Sequence, residues 1–266
     1  MNAPPVQDRV IVIVGGTSGL GLSAAKACLD AGAKVVTFGR DAETVAEAQK
    51  TLGTNACAFA GDATDPRTID QAIARAIEEF KGFHGLYHVA GGSGRRAGDG
   101  PLHEITDDGW RQTLDHNLTS LFYSNRAAAR QFLKQNTRGS VLNMSSVLGF
   151  SPSPAHFATH AYAAAKSAVI GFTKSCASYY ADRSIRFNVI APALVETPMS
   201  KRAVSDETIM KFVATKQPLD GGRVGVPTDL DAAVVYFLSD QSKFVTGQVL
   251  AVDGGWCVTE GQYSAG

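Results

Sequence analysis

Tyr162-Ala163-Ala164-Ala165-Lys166 sets a phenol and an ammonium four residues apart, which is one face of a helix. An ammonium near a phenol favours the phenolate and draws its pKa down from about 10. A tyrosine tuned in this way can give a proton to a carbonyl oxygen or take one from an alcohol. A pair of unrelated neighbours on a helix surface has the same spacing, so the residues around it must discriminate. Asn143-Met144-Ser145-Ser146 ends a strand-like run shortly before the pair and offers the Ser146 hydroxyl to an oxyanion. Asn117 lies inside a long helical stretch, where an amide is a mediocre helix former and points to another purpose.

A second group of residues suits phosphate rather than proton transfer. Gly15-Gly16-Thr17-Ser18-Gly19-Leu20-Gly21 follows the apolar run Val10–Val14 and opens a helix, the setting of a dinucleotide-binding turn. One glycine allows the tight turn, one lets backbone approach a pyrophosphate, and one permits close helix–sheet packing. The helix N-terminus adds free N–H groups and a positive dipole end. At the end of the next strand stands Phe38-Gly39-Arg40, where an NAD enzyme would carry Asp or Glu for the ribose hydroxyls. A small residue followed by a planar cation makes room for a 2′-phosphate. NADP(H) is therefore the favoured cofactor, with NAD(H) the other reading.

The elements that must position these residues alternate. Apolar runs over 10–14, 35–38, 56–60, 85–90, 140–144, 185–191 and 249–252 read as strands. Between them, residues 22–31, 41–52, 65–80, 107–135, 161–181 and 228–238 read as helices. Asp41 and Thr228 are the expected N-caps, Pro66 takes a first helical position, and Gly32 is a C-terminal stop. This alternation implies an α/β fold, a Rossmann-like doubly wound parallel sheet of about seven strands with helices on both faces. It is expected to form one domain over 1–266, with a core at about 9–255 and a short C-terminal tail. Three long irregular segments, 91–106, 147–160 and 192–227, all follow strands. They should meet at the carboxyl edge of the sheet and form one cleft.

With these motifs in order, the chain resembles the short-chain dehydrogenase/reductase family from about residue 9 to 255. The likeness is carried by the Gly15/Gly19/Gly21 turn, Asp62, Asn117 in N-L-T-S, Ser146 in N-M-S-S, and Y-A-A-A-K. It continues in N-V-I-A-P-A-L-V-E-T-P-M from Asn188 and T-G-Q-V-L-A-V-D-G-G from Thr246. The resemblance implies a ketone/secondary-alcohol oxidoreductase with Tyr162 as general acid/base. Lys166 would hold the nicotinamide ribose and depress the tyrosine pKa. Ser146 would bind the substrate oxygen, and Asn117 would position a water that relays protons. Cofactor contacts are implied at Gly15, Thr17, Ser18, Gly19, Leu20, Gly21, Arg40, Asp62, Ala63, Ala90, Gly91, Tyr162, Lys166, Pro192, Val195 and Thr197. Substrate contacts are expected from Ser146, Phe157, Tyr162 and Met199.

The family pattern is broken in three places. His88-Val89 stands for the usual Asn-Asn, so hydrogen bonding in the sheet's centre must be made otherwise. Pro192-Ala193 stands for Pro-Gly, and the 16-residue step from Ser146 to Tyr162 makes the loop 147–160 longer than is common. Phe150 and Phe157 in that loop, with an apolar lid over 199–213, lean towards a bulky apolar substrate. Arg95-Arg96 reads as a solvated pair, with contact to an acidic substrate as the other reading.

Composition bounds the remaining choices. Lys and Arg total 25 and Asp and Glu total 25, a formal balance of zero that argues against gripping nucleic acid or an anionic membrane. The 27-residue uncharged run 139–165 holds Asn143, prolines, serines and two histidines, so it lines a pocket rather than spanning a bilayer. Cys28, Cys57, Cys176 and Cys257 form no Cys-x-x-Cys pair, and the six histidines have no metal-ligand spacing. No metal is expected, and the compartment is the reducing cytoplasm. The partner is a small carbonyl or alcohol substrate, and the resemblance implies a homo-oligomer, a tetramer or dimer built on the two long helices and the last strand. The other function class is a dinucleotide-binding regulator without turnover, and within the family an NAD-dependent alcohol dehydrogenase.

Overall fold

The computed structural model describes residues 4–261, so the end of the expected C-terminal tail lies outside the described residues. Seven strands form one sheet in the order β3-β2-β1-β4-β5-β6-β7, with every neighbouring pair parallel. They are β1 (Val10–Val14), β2 (Lys34–Gly39), β3 (Ala56–Ala60), β4 (Gly85–His88), β5 (Gly139–Met144), β6 (Ile185–Pro192) and β7 (Val249–Val252). All five β-branched residues of β1 are buried, as a strand covered on both faces requires. Their side chains alternate between two cores. Val10, Val12 and Val14 join Phe83 and Phe132 on one face, where those two rings stack at 4.6 Å. Ile11 and Ile13 join Cys28, Val234 and Phe237 on the other.

The helices are α1 (Gly19–Asp30), α2 (Ala42–Leu52), α3 (Pro66–Phe80), α4 (Asp107–Leu114), α5 (Ser120–Gln135), α6 (His160–Tyr180), α7 (Lys201–Val204), α8 (Glu207–Lys216) and α9 (Asp231–Leu238). Asp41 caps α2 by accepting from the Thr44 amide at 2.8 Å. Asp65 caps α3 with Pro66 at its first position. Gly32 has φ +91°, the left-handed backbone expected of a stop after α1. Strand order reverses between β1 and β4, which leaves a crevice at their carboxyl ends.

Two expected elements are drawn differently. The single helix over 107–135 is α4, a π-helical turn (Asp115–Thr119) and α5. The extra residue per turn bulges the backbone at Asn117, and such bulges concentrate at functional sites. The late helix over 228–238 is a 3₁₀ turn (Pro227–Leu230) followed by α9. Thr228 is not its cap; Asp229 accepts from the Val226 amide at 2.7 Å and holds the entry.

His88 replaces the lost amide with a different network. Its ring is fully buried, with Nδ1 2.8 Å from Ser124 Oγ and Nε2 3.4 Å from Ser120 Oγ on α5. Burial, with help from the nearby Lys166 charge, pushes its pKa down from 6.5 to about 3, so the ring is neutral. Next to it, Asn125 and Asn143 exchange two hydrogen bonds of 2.9 Å, and Asn143 donates to Thr173 at 3.0 Å. The amides that tie helix to sheet lie on α5 and β5 here, one strand away from β4.

Candidate active site

The three long loops meet as expected. Residues of 91–95, 146–159 and 192–203 line one cleft, open to solvent, and Trp256 closes its side. Asn117, Ser146, Phe157, Tyr162, Lys166, Pro192, Val195, Thr197 and Met199 all face it, with Leu20 and Gly91 at the dinucleotide end. Phe150 does not; it is exposed to solvent. Of the expected lid, Met199 and Ala203 reach the cleft, whereas Ile209 and Val213 pack with Trp256 as ordinary core. The bulky apolar substrate suggested by Phe150 and the lid therefore loses part of its support.

Tyr162 and Lys166 lie in the first turns of α6, one above the other, with Nζ 5.5 Å from the centre of the phenol ring. Ser146, two residues past the end of β5, shares the cleft with the phenol, and its hydroxyl accepts from the Leu148 amide at 3.2 Å. Lys166 is 3% exposed, and its ammonium donates to the Met144 carbonyl at 2.9 Å. Burial lowers its pKa from 10.5 to about 8. The phenol behaves otherwise than expected: burial pushes Tyr162 up to about 12, and Ser146 is what opposes the rise. The depression expected from Lys166 is absent because Nζ is turned towards the Met144 carbonyl and the phenol is desolvated.

Asn117 is held by its bulge. Nδ2 donates to the carbonyls of Gly92 at 2.8 Å and Thr113 at 2.9 Å, and Oδ1 accepts from the Gly92 amide at 3.1 Å. A Cβ on Gly91 would lie 2.5 Å from Asn117 Oδ1 and 3.4 Å from Lys166 Nζ, so this glycine is the gap between them. One residue that sequence reasoning missed completes the frame. Asp99, in the loop after β4, is buried and accepts from the amides of Ala161 at 3.0 Å and Tyr162 at 2.9 Å. It caps the helix that carries Tyr162 from 63 residues away. No local pattern could have revealed it, because its partners are distant in sequence.

The glycine turn has the shape a dinucleotide needs. Gly15 has φ +85° and Gly19 has φ +50°, conformations that favour glycine. A Cβ on Gly21 would meet the Gly15 carbonyl oxygen at 2.2 Å, and one on Gly15 would meet Ala90 at 3.0 Å. Ser18, the N-cap of α1, uses no side-chain cap, so the first amides of the helix stay free for an anion. Thr17 is buried against Gly39, where a Cβ would stand 2.1 Å from its hydroxyl. Arg40 is exposed at the end of β2, with Nη1 3.2 Å from His116 Nε2. Asp62 accepts from the amide and hydroxyl of Thr64, both at 2.9 Å, with Ala63 packed between it and the core. Burial acts to raise the Asp62 pKa, but the Thr64 bonds and the Arg40 and His116 charges outweigh it and hold the carboxyl below its ordinary range. His116, which lies in the π turn, was not among the expected residues.

A family model described as enoyl-(acyl carrier protein) reductase matches residues 14–257. The chain belongs to the short-chain dehydrogenase/reductase family. The 2-(S)-hydroxypropyl-CoM dehydrogenase 3 of Xanthobacter autotrophicus is 35% identical over 257 residues, covering 94% of this chain and 97% of the relative. The 3-oxoacyl-(acyl-carrier-protein) reductase FabG of Vibrio cholerae is 31% identical, covering 94% and 98%. A solved short-chain type dehydrogenase/reductase from Mycobacterium ulcerans superposes with a TM-score of 0.87 at 30% identity, covering 95% of this chain and 91% of that one. As a member of the short-chain dehydrogenase/reductase family, the protein is an oxidoreductase of CH–OH and C=O groups that uses a nicotinamide dinucleotide. Among the described residues, no helix is long and apolar enough to cross a membrane, and no group of three His, Cys, Asp or Glu side chains could hold a metal.

Proposed function

We propose that the protein is an NADP(H)-dependent oxidoreductase that interconverts a ketone and a secondary alcohol, with Tyr162 as general acid/base. The observation that carries the reading is the convergence of Ser146, Tyr162 and the buried Lys166 on one cleft, with Lys166 Nζ 5.5 Å from the centre of the phenol ring. A phenol with a pKa near 12 is protonated at neutral pH. It is ready to donate to the oxygen of a ketone, so carbonyl reduction is the direction it suits. The Ser146 hydroxyl donates to the same oxygen and polarises the carbonyl. Lys166, its ammonium anchored on the Met144 carbonyl at 2.9 Å, would hold the nicotinamide ribose from beneath the phenol. Asn117, at the π turn, would position a water beyond Lys166. The bound dinucleotide supplies or accepts the hydride.

On the cofactor side, Gly15, Thr17, Ser18, Gly19, Leu20 and Gly21 would cradle the pyrophosphate, with Asp62, Ala63, Ala90 and Gly91 beside the adenosine and ribose. Tyr162, Lys166, Pro192, Val195 and Thr197 would border the nicotinamide half. Arg40 favours the 2′-phosphate of NADP(H), and His116 at 3.2 Å is a second nitrogen group for it. A homo-oligomer built on α5 and α6 belongs to the same reading, supported by exposed Phe122 and Tyr179 on those helices and by Phe244. A cytoplasmic location fits four cysteines that form no disulfide.

The test is Tyr162→Phe assayed with NADPH and simple ketones. Turnover should fall by about 10²–10⁴, while NADPH binding by fluorescence titration stays near that of the parent. A variant that reduces ketones at the parent rate would end the assignment, and tight cofactor binding without turnover by the parent would favour the regulator.

A further inference from the structure

Arg96 is exposed, as a solvated residue should be, but Arg95 is not. It lies in a 3₁₀ turn (Arg95–Ala97) after β4, half-buried, and lines the cleft. Arg202, on α7, lines the same cleft from the opposite loop. Both arginines donate Nη2 to one oxygen, the His156 carbonyl, each at 3.3 Å. Among the described residues, no carboxylate lies within ion-pair range of either guanidinium. Asp99, the nearby acid, is committed to the Ala161 and Tyr162 amides. Burial lowers the Arg95 pKa, and the Arg202 charge adds to this while Asp99 opposes it. Two like charges thus converge on one neutral carbonyl, an arrangement that repels itself and draws in an anion.

The cleft that holds this pair also holds Ser146 and Tyr162, and Leu148, Phe157 and Trp256 give its wall an apolar part. Phe157 and Trp256 pack edge to face at 5.7 Å. We propose that Arg95 and Arg202 bind an oxyanion carried by the substrate, so that the substrate is a ketone joined through a short apolar stretch to a carboxylate, sulfonate or phosphate. Guanidinium forks suit all three groups, because their planar donors match paired oxygens. The inference rests on the reading of Ser146 and Tyr162 as the reacting end.

Two measurements test it separately. The first is calorimetric titration of the protein, saturated with NADP⁺, with an alkanoate, an alkanesulfonate and an alkyl phosphate of equal chain length. At least one should bind, with its affinity reduced tenfold or more in Arg95→Gln and in Arg202→Gln. Arg202 is exposed, so its variant keeps the fold even if the Arg95 variant does not. No binding by any of the three, or binding that both variants leave intact, would overturn the proposal. The second compares kcat/KM for methyl ketones ending in each anion with their neutral esters. The ratio should favour the anion by about tenfold or more and collapse towards unity in both variants. An unchanged ratio rejects the anion site, whereas absence of turnover with every ketone, beside intact anion binding, rejects the reductase reading instead.

Discussion

Asn117 and Gly92 exchange two hydrogen bonds, amide to Oδ1 at 3.1 Å and Nδ2 to carbonyl at 2.8 Å. The pair locks the loop after β4 to the π turn between α4 and α5, directly beside Gly91 and Lys166. A reciprocal amide–backbone pair of this kind fixes both partners, because loss of either leaves a buried donor and acceptor unmet at about 1–3 kcal/mol.

Asn117→Ala should therefore lower both stability and turnover. Chemical denaturation should show a loss of about 1–3 kcal/mol, and kcat should fall by more than KM changes. Unaltered stability would mean that the loop after β4 holds itself without the amide.

The helix that carries Tyr162 depends on Asp99. Asp99→Ala removes the acceptor for two amides, a cap worth about 0.5–2 kcal/mol. The expected melting shift is about 2–4 °C per kcal/mol for a chain of this size. Asp99→Asn keeps an acceptor and should recover part of both the melting temperature and kcat. Full activity in Asp99→Ala would show that α6 starts correctly without it.

His88 makes acid the weak side of this fold. The ordinary imidazole value is 6.5 and the buried one about 3, so between these the unfolded chain binds a proton that the folded chain refuses. Stability contributed by the neutral ring is complete above pH 6.5 and is lost as pH falls towards 3. His88→Asn, which can still bond Ser124, should move the midpoint of acid unfolding to lower pH by circular dichroism. A midpoint that stays or rises would place the acid sensitivity in carboxylates instead.

In the proposed reading, Arg40 is the residue that selects NADP(H) over NAD(H). Arg40→Ala should weaken NADPH binding by about tenfold or more at low salt and change NADH binding little. The NADPH preference of the parent should also shrink with ionic strength, since the guanidinium is exposed. Equal loss for both dinucleotides would show that the residue serves the turn rather than the 2′-phosphate.

Much of the fold was legible because its signals are local. Val10–Val14 is uniformly β-branched and could only be a doubly buried strand. Asp41 and Asp65 mark their helix starts by accepting backbone amides within three residues. Where the pattern misled, the deciding contact was distant. The run 107–135 has unbroken helical character, and its π turn comes from the side chain of Asn117 reaching Gly92, 25 residues away in the loop after β4. The Thr228 cap failed because Asp229, one residue on, made the bond to Val226 first.

The order of strands and helices, the glycine turn and the chemistry available at Ser146, Tyr162 and Lys166 could be read from the chain alone, since each depends on neighbours within a turn or two. Their surroundings came from folding. Burial at the mouth of a packed α/β sheet raised the Tyr162 pKa where spacing alone predicted a fall. The same packing brought Asp99 to the head of α6, His116 to Arg40, and Arg202 to Arg95. Desolvation and long-range hydrogen bonds depend on which loops share a cleft, and no window of the chain contains that distance.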